Sequence, residues 1–88
     1  MTASAVKPVR VLLADDHAVV LEGLVAMIGR QPDMVVVAET ESGANAVELW
    51  TTHRPDVSLI DLRMPGLDGI GVITAIRRID PAARAIIL

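Results

Sequence analysis

Two patterns of apolar residues alternate along the chain. Short, almost wholly apolar runs occupy Val9–Ala14, Met34–Ala38 and Val57–Ile60, and a fourth runs from Arg84 to Leu88. Runs of this length, rich in β-branched residues and bounded by turn formers, read as strands covered on both faces. Between them, apolar residues recur at helical spacing. His17 to Gly29 predicts a first helix with Val20, Leu24, Met27 and Ile28 inward, stopped by Gly29 and Pro32. A polar link, Glu39 to Ser42, leads into a second helix from Gly43 to about His53, ended by Pro55. A third follows Asp68-Gly69, with Val72, Ile73, Ile76 and Ile79 inward, and Pro81 closes it. Residues 1–7 lack periodicity and read as a flexible N-terminus, with Pro8 marking entry into the first strand.

The predicted order is β-α-β-α-β-α-β, without internal repeats. Continuous apolar strands separated by amphipathic helices imply an α/β fold with a parallel sheet between helical layers. Eighty-eight residues suffice for one small domain, placed at residues 8–88. In open sheets of this kind, ligands bind beyond the carboxyl ends of the strands, where the winding direction reverses. A flavodoxin-like strand order of 2-1-3-4 makes the first and third strands neighbours.

Composition narrows the function classes. Eleven acidic against eight basic residues give a net charge of −3, which provides no broad basic field for nucleic acid. The absence of cysteine removes disulfides and zinc-thiolate sites. With one Trp and neither Phe nor Tyr, the core is aliphatic and base stacking is not available. No apolar run approaches the roughly 20 residues of a membrane span, and the opening residues lack a signal-peptide core. A cytoplasmic protein without membrane contact is the expectation.

The candidate chemistry lies in three carboxylates. Asp15 and Asp16 follow the first strand and Asp61 follows the third. If those strands adjoin, the carboxylates converge. Like charges about 4 Å apart repel by about 4 kcal/mol at an effective dielectric near 20, so the cluster calls for a cation or for raised pKa values. Mg2+ suits it, being held by one or two carboxylates, waters and a phosphate oxygen. A carboxylate beside such an ion can accept a phosphoryl group. Asp61 is the choice of nucleophile, because it stands alone after VSLI before the turn-rich Met64-Pro65-Gly66. Asp15 and Asp16 make better metal holders.

Structural roles compete for several of these residues. Asp15 or Asp16 also suits the N-cap of the first helix, and Asp68 is assigned to capping the third. Trp50, with Ala46 and Val47, is expected to pack the second helix. His17 is expected at an exposed first turn rather than bonded into the acidic site, His53 at a helix end that favours it, and Met64 in the packing of the loop.

Beyond these generic features, VRVLLADDH, PDVSLIDLRMPGLDGIGVI and ARAIIL resemble the receiver domains of bacterial two-component response regulators over nearly the whole chain after Lys7. ADDH with DLRMPGLDG is particularly similar to the LuxR/FixJ-type, NarL-like subfamily, whose receivers precede a DNA-binding helix-turn-helix. The resemblance implies that Asp61 is the phosphoacceptor, supplied by a sensor histidine kinase. It implies that Asp15, Asp16, Asp61 and the backbone carbonyl of Arg63 surround Mg2+, and that Met64-Pro65-Gly66 and Gly69 shape the loop.

The family also carries a Ser or Thr after strand four, a Lys after strand five, and a final strand and helices, none of which occurs by Leu88. The resemblance therefore implies a receiver truncated at its fourth strand, with an open edge at Ala85–Leu88. A homodimer or higher oligomer formed through that edge is expected. A second reading is a phosphorylation-incompetent fragment that acts by assembly. A third, a haloacid-dehalogenase-type phosphohydrolase, expects an acid two positions after the nucleophile, where Arg63 stands.

Overall fold

The computed structural model describes residues 7–88; the terminal stretch predicted to be flexible lies, for residues 1–6, outside the described residues. Seven elements alternate along it: β1 (Val9–Ala14), α1 (Ala18–Gly29), β2 (Met34–Thr40), α2 (Gly43–His53), β3 (Val57–Ile60), α3 (Gly69–Ile79) and β4 (Ala85–Ile87). The four strands form one parallel sheet in the order β2-β1-β3-β4, as the sequence pattern required.

Alternation along the strands divides the core into two layers. Leu12, Ala14 and Ile60 project to one face, where Ala46 and Trp50 of α2 and Val72 and Ile76 of α3 cover them. Val11 and Leu13 project to the other, against Leu21 and Ile28 of α1. From Val11 to Ala14, β1 is buried on both faces, which is why that part of the run is wholly apolar.

The edge strand β2 differs. The pairing jumps from Val11↔Val36 to Leu12↔Ala38, so Val37 has no Cα partner. One extra residue reverses which face the following side chains occupy. Met34 and Val36 accordingly pack under α1, whereas Ala38 joins the layer beneath α2 and α3. The strand also runs to Thr40, two residues into the predicted polar link.

Two helical faces depart from expectation. In α1, Leu24 and Ile28 pack inward as expected, but Val20 and Met27 are exposed and Leu21 and Val25 take the inward places. The sequence VVLEGLVAMI offers apolar residues on nearly every side, so more than one rotation satisfies helical spacing. In α3, Ile79, the last helical residue, is exposed, while Val72 and Ile76 are buried and Ile73 packs against the same layer.

Local signals close the elements. Ser42 caps α2 by accepting from Asn45 N at 3.2 Å. Asp68 caps α3, as expected, by accepting from Gly71 N at 2.8 Å. Arg54 ends α2 in a left-handed conformation, φ 46°, with its guanidinium 4.6 Å above the Trp50 ring. Arg10 reaches across from β1 and donates to the last carbonyls of α2, His53 O at 2.7 Å and Arg54 O at 2.8 Å. These bonds satisfy acceptors that the helix itself leaves open. Among the described residues, no helix is long and apolar enough to cross a membrane.

Candidate functional site

Sheet hydrogen bonds set the position of the acidic residues. Asp15 N donates to Thr40 O at 3.1 Å, tying the end of β1 to the end of β2. Asp61 N donates to Ala14 O at 2.8 Å, tying the end of β3 to β1. The parallel register places Ala14 beside Ile60, so Asp15, Asp16 and Asp61 all emerge from the carboxyl edge at adjoining strands. The predicted convergence is observed.

One potential ligand atom from each of Asp15, Asp16, His17 and Asp61 lies within 4.8 Å of the others. Asp15 is buried, and Asp16 and Asp61 are half-buried. The His17 ring is 65% exposed, yet its Nδ1 lies 2.8 Å from Asp15 Oδ1, 3.1 Å from Asp16 Oδ1 and 3.4 Å from Asp61 Oδ2. This corrects the expectation of a histidine clear of the site: it is exposed and still joined to the acidic cluster. The available signal was its place directly after the acidic pair, where a helix start turns the chain back over the strand end.

A ring nitrogen carries at most one proton, and the shortest of these contacts is the hydrogen bond to Asp15. Asp16 Oδ1 and Asp61 Oδ2 are then left buried with no hydrogen-bond donor, close to the imidazole but not bonded to it. The acidic surroundings hold the His17 pKa above its ordinary value. The hydrogen bond to Asp15 contributes most, followed by the charges of Asp16 and Asp15; Asp61 adds less, and desolvation opposes the shift. Carboxylate oxygens without donors, gathered at one point, are the donor set that a hard divalent cation completes.

The capping alternative for the acidic pair does not hold. His17, not Asp15 or Asp16, occupies the N-cap of α1, and its side chain makes no cap bond. Asp15 Oδ1 accepts from His17 N at 2.9 Å, a turn that orients the residue just before the helix.

An open depression of about 620 Å3 adjoins the cluster, lined by Asp16, Leu62, Arg63, Met64, Pro65 and Asp68. Arg63 is exposed there, and its N–H approaches Asp61 Oδ1 at a long 3.4 Å. Met64 turns its side chain into the core, as expected of a loop-packing residue. Gly69 lies so near the Asp61 backbone that a Cβ there would stand 2.5 Å from the carbonyl oxygen. Its N–H donates to Leu62 O at 2.9 Å, so the start of α3 is fastened to the segment that carries Asp61.

Comparison with known proteins agrees with this geometry. The family model described as the response regulator receiver domain matches residues 11–88. The chain is 41% identical over 80 residues to Probable transcriptional regulatory protein NarL of Mycobacterium tuberculosis, covering 91% of this chain and 37% of that protein. It is 42% identical over 79 residues to a protein-glutamate methylesterase/protein-glutamine glutaminase of Myxococcus xanthus, covering 90% of this chain and 22% of that protein. A crystal structure of a LuxR-family two-component response regulator from Aurantimonas sp. SI85-9A1 superposes with a TM-score of 0.86 at 40% identity, over 92% of this chain and 58% of that one. The chain thus spans well under half the length of these curated relatives. With the strand order, the acidic cluster and the matched residues in agreement, the chain belongs to the response regulator receiver domain family.

Proposed function

We propose that Asp61 accepts a phosphoryl group from the phosphohistidine of a sensor histidine kinase, beside Mg2+ held by Asp15, Asp16, Asp61 and the Arg63 backbone carbonyl. The observation that carries this reading is the pair of buried carboxylate oxygens without donors, Asp16 Oδ1 and Asp61 Oδ2, on the carboxyl edge of the sheet. When bound, the ion offsets the negative charge of the carboxylates and of the incoming phosphoryl oxygens.

The chain's own residues supply the rest. The Asp61 carboxylate attacks phosphorus; an O–P bond forms as the P–N bond of the donor breaks, and the electron pair of that bond returns to the donor imidazole. Asp61 Oδ2 faces Asp16 and His17, which leaves Oδ1 toward Arg63 N–H for the attack. The neighbouring depression, open to solvent, gives the donor access.

In the parent protein, we propose, this event governs an attached DNA-binding domain of the LuxR type in the cytoplasm. The support is the ADDH and DLRMPGLDG segments together with the LuxR-family structural relative. The methylesterase relative is a reminder that one receiver architecture serves different effectors. Nucleic-acid contact is assigned to that effector, because the net charge of −3 gives this chain no attraction for phosphate backbones.

The test is intact mass after incubation with acetyl phosphate and Mg2+, comparing the chain with its Asp61→Asn variant. One phosphoryl group on the unsubstituted chain alone is the expected result. A folded chain that takes no label would remove the phosphoacceptor reading for these 88 residues.

A second reading rests on β4, which pairs on one side only among the described residues, with Ile86 in the strand and Leu88 just after it about half exposed. For the 88-residue chain itself, we propose pairing between copies along this edge. Sedimentation over a concentration series tests it. A monomer at every concentration would count against assembly, and Asp61→Asn is expected to leave assembly unchanged.

A further inference from the structure

We propose that Thr40 is a positioning residue: held by Asn45 at the start of α2, its side chain fixes the end of β2 against Asp15 and thereby sets the affinity of the site for Mg2+. The inference rests on the reading of the acidic cluster as a cation site and concerns residues outside the cluster itself.

Thr40 bonds in two directions. It closes β2 and is 8% exposed. Its Oγ1 accepts from Asn45 Nδ2 at 3.0 Å and from Ser42 N at 3.1 Å, which occupies both lone pairs of the hydroxyl. Its carbonyl accepts from Asp15 N at 3.1 Å, extending the register that sets Ala14 beside Thr40. One residue therefore joins α2 through its side chain and the acidic end of β1 through its backbone.

The first turn of α2 also meets the other half of the site. Gly43, buried at its start, lies so near Leu67 that a Cβ there would collide with the Leu67 carbonyl oxygen. Leu67 belongs to the segment between Asp61 and α3 and packs against the core beneath those helices. The same turn thus abuts both the strand end that holds Asp15 and the loop that follows Asp61. Three neighbouring carboxylates repel one another until an ion joins them, so a frame that resists their separation favours binding.

A purely local role competes with this reading. A threonine hydroxyl bonded to the backbone N–H two residues on is a common turn that needs no further partner. Asn45 is what exceeds it: an exposed side chain with water as an alternative partner is directed at Thr40 and ties the strand end to the helix.

The test measures Mg2+ affinity by calorimetry and, separately, unfolding in urea, for the chain, Thr40→Val, Thr40→Ser, Asn45→Ala, Thr40→Val with Asn45→Ala, and Arg10→Ala. Valine keeps the shape of threonine and accepts no hydrogen bond. Removing an outer-shell partner costs roughly 10- to 100-fold in metal affinity, so Thr40→Val is expected to weaken Mg2+ binding by about 10-fold and Thr40→Ser to restore it. Asn45→Ala is expected to weaken it by a smaller factor, and to add nothing once Thr40 is valine, because it acts through that hydroxyl. Arg10→Ala, whose lost bonds lie at the opposite edge of the sheet, is expected to lower the urea midpoint and leave Mg2+ affinity unchanged, which separates positioning from a general loss of stability. If Thr40→Val does not fold, Asn45→Ala carries the test alone. Unchanged Mg2+ affinity in the folded variant, with the parent chain binding Mg2+, overturns the role of Thr40 and leaves the cation site standing. A parent chain that binds no Mg2+ removes the cation-site reading, and the inference falls with it.

Discussion

Replacing Gly69 with alanine is expected to damage both the fold and the site. The added Cβ would lie 2.5 Å from Asp61 O, 3.0 Å from Leu62 Cα and 3.1 Å from Asp61 C. A carbon–oxygen contact settles at about 3.3–3.6 Å, so roughly 1 Å of separation must be found. All three neighbours are backbone atoms, so no flexible side chain can swing aside. Moving α3 instead disturbs Val72 and Ile76, which are 1% and 0% exposed. Overpacking of this kind costs about 1–3 kcal/mol, against which the better helix propensity of alanine returns at most about 1 kcal/mol. The expected net loss is about 1–2 kcal/mol, a sizeable part of the roughly 5–15 kcal/mol that holds a typical domain folded.

Urea unfolding followed by the fluorescence of Trp50, the one tryptophan and a core residue, measures that loss. The displacement also falls on Asp61, and a misplacement of about 1 Å at a reacting group costs on the order of 100-fold in rate. Phosphoryl labelling under conditions where the variant is folded is therefore expected to slow by about that factor. Gly23→Ala is the control, because it lies within α1 with nothing within 4 Å of the added carbon. It is expected to raise stability by about 0.5–1 kcal/mol. If Gly69→Ala unfolds at the same urea concentration as the parent and labels at the same rate, the close approach of α3 to Asp61 is not a constraint.

Other substitutions probe separate parts of the structure. Ser58→Ala is expected to stabilise by about 1 kcal/mol, because Ser58 Oγ is buried without a hydrogen-bond partner; a lower urea midpoint would count against this. Asp68→Ala removes the cap bond to Gly71 N and is expected to cost about 0.5–2 kcal/mol by the same measurement, with Asp68→Asn recovering most of it. Arg10→Ala leaves the final carbonyls of α2 without their donors and is expected to cost about 1–2 kcal/mol. Arg10→Lys is expected to recover only part of that, since an ammonium lacks the planar fork that reaches both oxygens.

The sequence alone determined the order of elements, the parallel sheet and the convergence of Asp15, Asp16 and Asp61. The reason is physical: a strand covered on both faces has no room for an unpaired charge, so a carboxylate directly after VSLI has to lie at the strand's end. Asp68 was equally legible, because capping is a local bond between a side chain and the backbone three residues on. Only the tertiary structure decided the phase of α1, where apolar residues on several sides satisfy the same spacing and the sheet selects Leu21 over Val20. It alone decided the irregularity at Val37, which depends on the partner strand β1 and leaves no mark in the residues of β2 themselves. It also decided the place of His17, whose contact with Asp61 exists only because β3 lies beside β1. Local patterns fix what each segment is, and contacts between distant segments fix which way its side chains face.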